Sequence, residues 1–184
     1  MYITKTEVKA FIGETNTDND DLIDELIARV EALVENDKCE RHLGSSVFTE
    51  FYDGDGSEKL LLDNYPIISV TSVHDDDDRV YGADTLIDAD DIVSYDEEGI
   101  LLYDNGTFTV GHKNIKVVYQ AGLDPIPNDL KHALIQYVAA QFIIAKTEVN
   151  AFRPTGDGSG ESEDKPTKLM KEADKVFQKY RRIR

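Results

Sequence analysis

The 184-residue chain lacks several residue types that would have pointed to a function. It has no tryptophan, four histidines and a single cysteine, Cys39. One cysteine excludes an internal disulfide, so we expect a protein with a cytosolic history. The longest apolar run, residues 134–145, is too short to span a bilayer and is interrupted by Gln136 and Gln141. We also find no apolar signal core in residues 1–5.

Sequence motifs of the common catalytic and nucleotide-binding sites are also missing. There is no G-x-x-x-x-G-K-[ST], no G-x-G-x-x-G and no G-x-S-x-G, which argues against a nucleotide site and a nucleophilic hydrolase. Accidental carboxylate pairs are certain among 37 acidic residues, so such pairs do not identify acid–base catalysis. We therefore predict no catalytic residue, no cofactor and no enzyme. An acidic hydrolase is the weakest alternative.

Possible metal ligands occur singly rather than in sets. The histidines are His42, His74, His112 and His132. Cys39 and His42 make half a zinc site at best, and a buried thiol beside a surface imidazole explains them better. The run 53–58 begins like a calcium loop, but Glu58 and Asn64 stand where an EF-hand needs glycine and glutamate. A turn between strands explains that run better, and we predict no metal site.

Acidic residues outnumber basic ones, 37 to 20, for a net charge of −17. The charge is polarised, because residues 165–184 hold eight basic and two acidic residues while residues 1–164 carry −23. We do not expect such a body to bind DNA or an anionic membrane. The run Asp75, Asp76, Asp77 and Asp78 is predicted to form part of a surface that repels DNA. A cation site there is less favoured, since adjacent loop carboxylates usually stay solvated.

Apolar residues at helical spacing predict three helices in the main body. A capping box begins at Thr4 and predicts a helix over 4–12, which Gly13 ends. A long apolar stripe predicts a second helix over 20–43. A third helix is predicted over 127–150, with a proline in its first turn.

The segment between these helices, residues 47–120, has the patterns of β-strands and turns. We predict one hairpin from 47–52 and 59–62, and a second from 100–103 and 107–110 around an Asn-Gly turn. The order of helices, strands and helices predicts an α+β fold. In it, N-terminal and C-terminal helices form a small bundle, with a central antiparallel β insertion of hairpins.

The C-terminal part of the chain differs from the body in composition. We predict one domain over 1–152, a flexible Gly/Ser-rich linker over 153–165 and a basic helix over 166–184. That helix offers candidate interface residues: Leu169, Val176, Phe177 and Tyr180 on its apolar stripe, and Lys175, Lys179, Arg181 and Arg182. One interpretation is a mobile arm that docks on an acidic partner. In the other, the cations form a solvated face and the stripe folds back on the body.

An ordered set of motifs over roughly residues 4–145 resembles the tailed-phage and prophage head–tail connector family. Its pieces after the two N-terminal helices are Phe51-Tyr52-Asp53-Gly54-Asp55-Gly56, Leu60-Leu61-Leu62, Tyr65 to Val73, Gly99-Ile100-Leu101, Val117 to Gly122 and Pro127 to Ala133. Each piece alone is weak, and their order and spacing carry the likeness. The acidic segment 75–98 and the basic tail are less typical of the family.

The resemblance implies a structural virion-assembly protein without catalytic residues. It also implies a ring adaptor of about twelve subunits between portal and tail, with DNA passing through the ring. The expected partners are other copies of the chain, the portal protein and further head-completion or tail proteins, with no specific nucleic-acid binding and no membrane. The expected locations are the bacterial host cytoplasm during assembly and the neck of the virion. A small calcium- or carbohydrate-binding β module with helical flanks is the alternative.

Overall fold

The first helix begins and ends at its predicted capping residues, and the second begins at Asp20 as predicted. In the computed structural model, which describes residues 1–151 and 164–182, helix α1 spans Lys5–Ile12 and α2 spans Asp20–Leu33. The Thr4 hydroxyl accepts from the Glu7 amide while the Glu7 carboxylate accepts from the Thr4 amide, which confirms the predicted capping box. Gly13 ends α1 in the left-handed conformation, at φ 75°.

Helix α2 does not continue to residue 43 as predicted. A five-residue π-helical turn, Val34–Lys38, follows it, and no α-helix extends beyond that turn before the first strand. The apolar stripe that favoured a longer helix is nevertheless buried, because Val34, Cys39 and Leu43 are fully covered. The prediction failed because a periodic apolar stripe cannot distinguish an α-helix from a π-turn that keeps the same face inward.

Both ends of the chain contribute to one helical unit, Met1–His42 with Ile126–Arg184. Helix α3 (Asn128–Ala151) packs against α1, α2 and α4 (Asp164–Phe177), and a short 3₁₀ turn, Gln178–Tyr180, follows α4. Almost the whole predicted linker, 153–165, lies outside the described residues. The division of the chain into domain, linker and tail therefore stays a prediction.

A second unit, Leu43–Pro125, contains the six strands of the described residues, in two antiparallel sheets. The strands are β1 Ser46–Gly54, β2 Lys59–Leu61, β3 Ile67–Asp75, β4 Ile92–Tyr95, β5 Ile100–Tyr103 and β6 Gly111–Ala121. The first sheet has the order β1–β6–β3 and the second the order β2–β5–β4. Helices at both ends of the sequence and antiparallel strands between them confirm the predicted α+β class.

Two predicted hairpins are wrong. β1 pairs with β6 rather than with β2, and β2 pairs with β5. Residues 107–110 form no strand; the Phe108 side chain is buried, and its amide donates to the Ser57 carbonyl over 2.9 Å. Local turn chemistry indicates where the chain turns, but the pairing of strands depends on which faces are buried together, and a local pattern does not contain that information.

Buried residues from both sheets form one apolar core. Its members are Leu60, Leu62, Ile67, Val73, Ile87, Leu101, Phe108, Ile115, Val117, Tyr119 and Ala121. At one side of this core Tyr52 and Tyr119 both donate hydrogen bonds to the Glu50 carboxylate. The two phenol oxygens also accept from the amides of Asp63 and Asn64, at 3.0 and 3.1 Å. Burial raises the pKa of both phenols, so they stay protonated and tie β1 and β6 to the turn after Leu62.

Candidate functional site

The predicted acidic surface comprises the last residue of β3 and the loop that follows it, and its four aspartates have different roles. Asp76 is buried, and its carboxylate accepts from the amides of Asp78, Val80 and Tyr81 at 2.9, 2.9 and 2.6 Å. Those hydrogen bonds, the one from Tyr81 foremost, hold the pKa of Asp76 below its usual value. Asp76 therefore organises the loop rather than presenting charge to a ligand.

Asp75 is also engaged within the chain. Its carboxylate accepts from the Thr109 amide at 2.7 Å and from the Asn114 side-chain amide at 3.1 Å. Only Asp77 and Asp78 of the run are exposed. The role of the run in repelling DNA stays a proposal. Asp77 and Asp78 could take that role because their side chains are exposed to solvent.

We expect Asp76→Asn to destabilise the chain at neutral pH and to weaken its acid sensitivity. The folded pKa of Asp76 lies below the unfolded pKa, so its stabilising contribution is present above the unfolded pKa and is lost as the pH falls through the folded pKa. Urea unfolding at pH 7 should show a less stable variant, and the difference from wild type should shrink near pH 2. Asp78→Asn, at an exposed neighbour, is the matched control and should change neither value. Equal stability of wild type and Asp76→Asn at pH 7 would contradict the loop-organising role.

The candidate interface residues of the C-terminal helix divide into a buried side and an exposed side. Ala173 and Phe177 are fully buried, and the Phe177 ring lies 6.0 Å from the Tyr137 ring on α3. Leu169, Val176 and Tyr180 are half-buried. The apolar stripe thus folds back on the helical unit of its own chain, which is the second of the two arrangements that the sequence left open.

The last turn of this helical segment is held by polar contacts. The Tyr180 hydroxyl donates to the Asp129 carboxylate at 2.6 Å, and Lys179 lies 3.7 Å from the same residue. Burial, with the Asp129 carboxylate, raises the pKa of Tyr180 to about 12. Arg181 pairs with Glu40, and the Arg182 amide donates to the Cys39 carbonyl at 2.8 Å. The partner-docking role of these residues stays a prediction.

A lysine face lies on the opposite side of α4 from Phe177. Lys168, Lys171 and Lys175 are exposed and recur at the spacing of one helix face. Among the residues whose side chains the structure describes, 1–147 and 165–182, neither Lys171 nor Lys175 has a carboxylate partner. Within that part of the chain, the charge of these two lysines is available to another molecule.

The second sheet has an exposed and largely apolar outer face that sequence reasoning missed. The strand register places Leu61, Ile100 and Tyr95 side by side in one row, and Lys59, Leu102 and Val93 in the next. Leu61, Tyr95 and Val93 are 65%, 46% and 42% exposed. The alternation along β2 was a usable signal, because Leu60 is buried and Leu61 must then point outward.

The possible metal ligands stay apart. Cys39 is buried, which raises its thiol pKa to about 11, and the thiol lies 3.6 Å from the Phe177 carbonyl. His42 pairs instead with Glu35 at 2.9 Å. Asp55 accepts from the Ser57 amide at 2.9 Å, as expected of a turn. In the described part of the chain no three His, Cys, Asp or Glu side chains converge on a possible ion position, and no helix there has the length and apolarity to cross a membrane.

The chain is similar to known proteins in family pattern and in fold. A family model described as "Head completion protein" matches residues 1–183. A chain in the neck of an empty GTA particle, computed with C6 symmetry, matches with a TM-score of 0.62 and 14% identity over 100% of this chain and 91% of that chain. No curated protein is significantly similar in sequence.

Two further solved structures share the fold. A chain in the virion of a native gene transfer agent (GTA) particle has a TM-score of 0.59 and 14% identity over 100% of this chain and 91% of that chain. A chain in the neck of a native GTA particle, computed with C12 symmetry, has a TM-score of 0.58 and 15% identity over 100% of this chain and 95% of that chain.

Proposed function

The chain belongs to the head completion protein family, and we propose that it forms a ring adaptor between portal and tail through which DNA passes. Membership of the family gives the chain a structural role in head–tail assembly. Neither the family nor the similar structures offer positive evidence of an enzyme. The observation that carries the proposal is the family match over residues 1–183. The likeness to chains in necks of C6 and C12 symmetry supports a ring in particular.

The charge of the chain agrees with a conduit for DNA. The β-sheet unit, Leu43–Pro125, holds 18 acidic and four basic residues, so it carries −14 of the total −17. A channel that bound phosphates would have to break each contact as the DNA moved. An acidic lining, to which the exposed Asp77 and Asp78 would contribute, avoids such contacts.

The partners and location follow from the same proposal. The chain associates with other copies of itself in a ring of about twelve subunits. It meets the portal protein and further head-completion or tail proteins, and it binds neither a specific nucleic-acid sequence nor a membrane. It is made in the bacterial host cytoplasm and ends in the neck of the virion.

We expect annular particles when the purified chain is imaged by negative-stain electron microscopy at high concentration, alone or mixed with its portal protein. A ring closes when one subunit surface meets a different surface of the next subunit at a constant rotation. The portal is included because a template raises the local concentration of subunits. Monomers in every condition, with portal included, would contradict the proposed ring.

A further inference from the structure

The outer face of the second sheet has two properties that together describe its partner. It is apolar, through Leu61, Ile100 and Tyr95 in one row, and large exposed apolar rows on soluble proteins mark interaction surfaces. Its edge is acidic, because the turn from β4 to β5 contains Asp96, Glu97 and Glu98, all exposed. A partner must therefore cover apolar surface and supply positive charge at one end of it.

The carboxylates of this turn are available to such a partner. Among the described residues, Glu97 and Glu98 have no cation or hydrogen-bond donor within contact distance of their side chains. The backbone of this turn is held in position, because the Asp96 carbonyl accepts a hydrogen bond from the Ile67 amide at 2.8 Å. Gly99, with a φ of 69°, ends the turn. The position of the charge is thus set by the backbone, while the side chains are left for binding.

Lysine side chains meet both requirements at once. A lysine lays its aliphatic stem along apolar surface while its ammonium group reaches a carboxylate, and it can also stack on an aromatic ring such as Tyr95. The lysine face of α4 presents Lys171 and Lys175 on successive turns of a helix whose other side is buried on α3. Helix α4 is therefore a firmly held donor of positive charge rather than a loose tail.

We propose that the outer face, with its acidic turn, receives the lysine face of α4 from a second copy of the chain. The inference rests on the proposed ring and names its contact. The charge complementarity is strong, because the β-sheet unit is at −14 while described residues 164–182 hold seven basic and three acidic residues. The two surfaces differ, so each copy offers one of each, and the contact propagates from copy to copy until a ring closes.

The proposal is tested by reversing the charge of each surface separately. One variant carries Lys171→Glu with Lys175→Glu, and the other carries Glu97→Lys with Glu98→Lys. Each variant alone should assemble at least about tenfold more weakly than wild type, because like charges then face each other across the contact. Sedimentation velocity and electron microscopy at low salt, with and without portal, measure the assembly. Asp77→Lys with Asp78→Lys is the matched control for charge, and it should assemble as wild type does.

A mixture of the two variants separates this contact from a general effect of charge. In an equimolar mixture, the reversed helix of one variant meets the reversed turn of the other, and the unchanged surfaces also remain complementary. Annular particles should therefore return in the mixture. Failure of the mixture to assemble, while wild type assembles and both variants melt at the wild-type temperature, would overturn the proposed contact. Unchanged assembly of either variant alone would also overturn it, and in both cases the ring function would stand.

Disulfide trapping checks that the contact joins two copies. Cys39 is buried and is therefore poorly placed for crosslinking. Thiols introduced as Lys175→Cys and Glu97→Cys would be exposed and able to form the disulfide. Mixing the two single variants under oxidation should give a crosslinked dimer, and the double variant should give a ladder of multimers. A double variant that yields only an internally bridged monomer would overturn the inference.

Two remaining outcomes address other roles of the same surfaces. A gel shift of duplex DNA by the wild-type chain at low salt, lost with Lys171→Glu and Lys175→Glu, would make the lysine face a nucleic-acid surface and overturn the inference. Absence of rings from the wild-type chain in every condition would overturn the inference and the proposed function together.

Discussion

Phe177→Ala is expected to lower the free energy of unfolding of the isolated chain by about 3–5 kcal/mol. Phe177 is 0% exposed, and its ring lies 6.0 Å from that of Tyr137. Truncation removes buried apolar surface and leaves a cavity between α3 and α4. Because small domains are stable by only about 5–15 kcal/mol, the loss should be visible as a large fall in the urea midpoint.

Phe11→Ala is the matched control for this substitution. Phe11 is in the same helical unit, but it is 42% exposed and contacts the His132 ring edge-on at 5.7 Å. Its truncation should cost clearly less than that of Phe177. If Phe177→Ala left the midpoint unchanged and abolished assembly only, α4 would be a docking arm in the free chain. The burial of Phe177 would then describe the assembled state.

Gly122→Ala should destabilise the chain by more than a strained backbone conformation alone, which costs about 1–3 kcal/mol. Gly122 has a φ of +117°, which side-chain-bearing residues rarely adopt, and an added Cβ would lie 2.1 Å from the Gly44 carbonyl oxygen. The obstacle is backbone, so no rotamer change relieves it. The end of β6 would have to move to relieve the overlap. That movement would also break the hydrogen bond from the Gly122 amide to the Pro66 carbonyl, which is 2.9 Å long. Thermal unfolding followed by circular dichroism measures the effect.

Gly13→Ala separates conformational strain from steric overlap. Gly13 also has a positive φ, +75°, but a Cβ added there meets nothing within 4 Å. Its replacement should cost about 1–2 kcal/mol, from the left-handed conformation alone. Similar losses for the two alanine variants would mean that the strand end near Gly44 yields easily, contrary to the geometry.

Local signals in the sequence predicted several elements because each depends on neighbouring residues only. The capping box at Thr4 closes over three residues, and Gly13 ends α1 through its own backbone freedom. Helix α3, Asn128–Ala151, matches the predicted 127–150 within one residue at each end. Strand pairing was not predictable in the same way, because β1 and β6 are joined across about sixty residues and their register depends on the shared core.

For the candidate surfaces, too, the sequence predicted some properties and the tertiary structure decided others. Composition alone showed an acidic body with a basic tail, since charge is a sum over residues and needs no coordinates. It could not show that the Asp76 carboxylate accepts hydrogen bonds from three backbone amides while the adjacent Asp77 stays exposed. Nor could it show that Leu61, Val93 and Tyr95 lie exposed on one face of the second sheet.

The sequence by itself determined the α+β class, the caps of α1, the charge polarity and the resemblance that the family match bears out. These follow from local conformational preferences and from composition. Only the tertiary structure decided which strands pair, that Phe177 belongs to the core, and that the lysine face of α4 and the outer face of the second sheet remain exposed. Exposure and pairing depend on which distant segments cover each residue, and no local pattern contains that information.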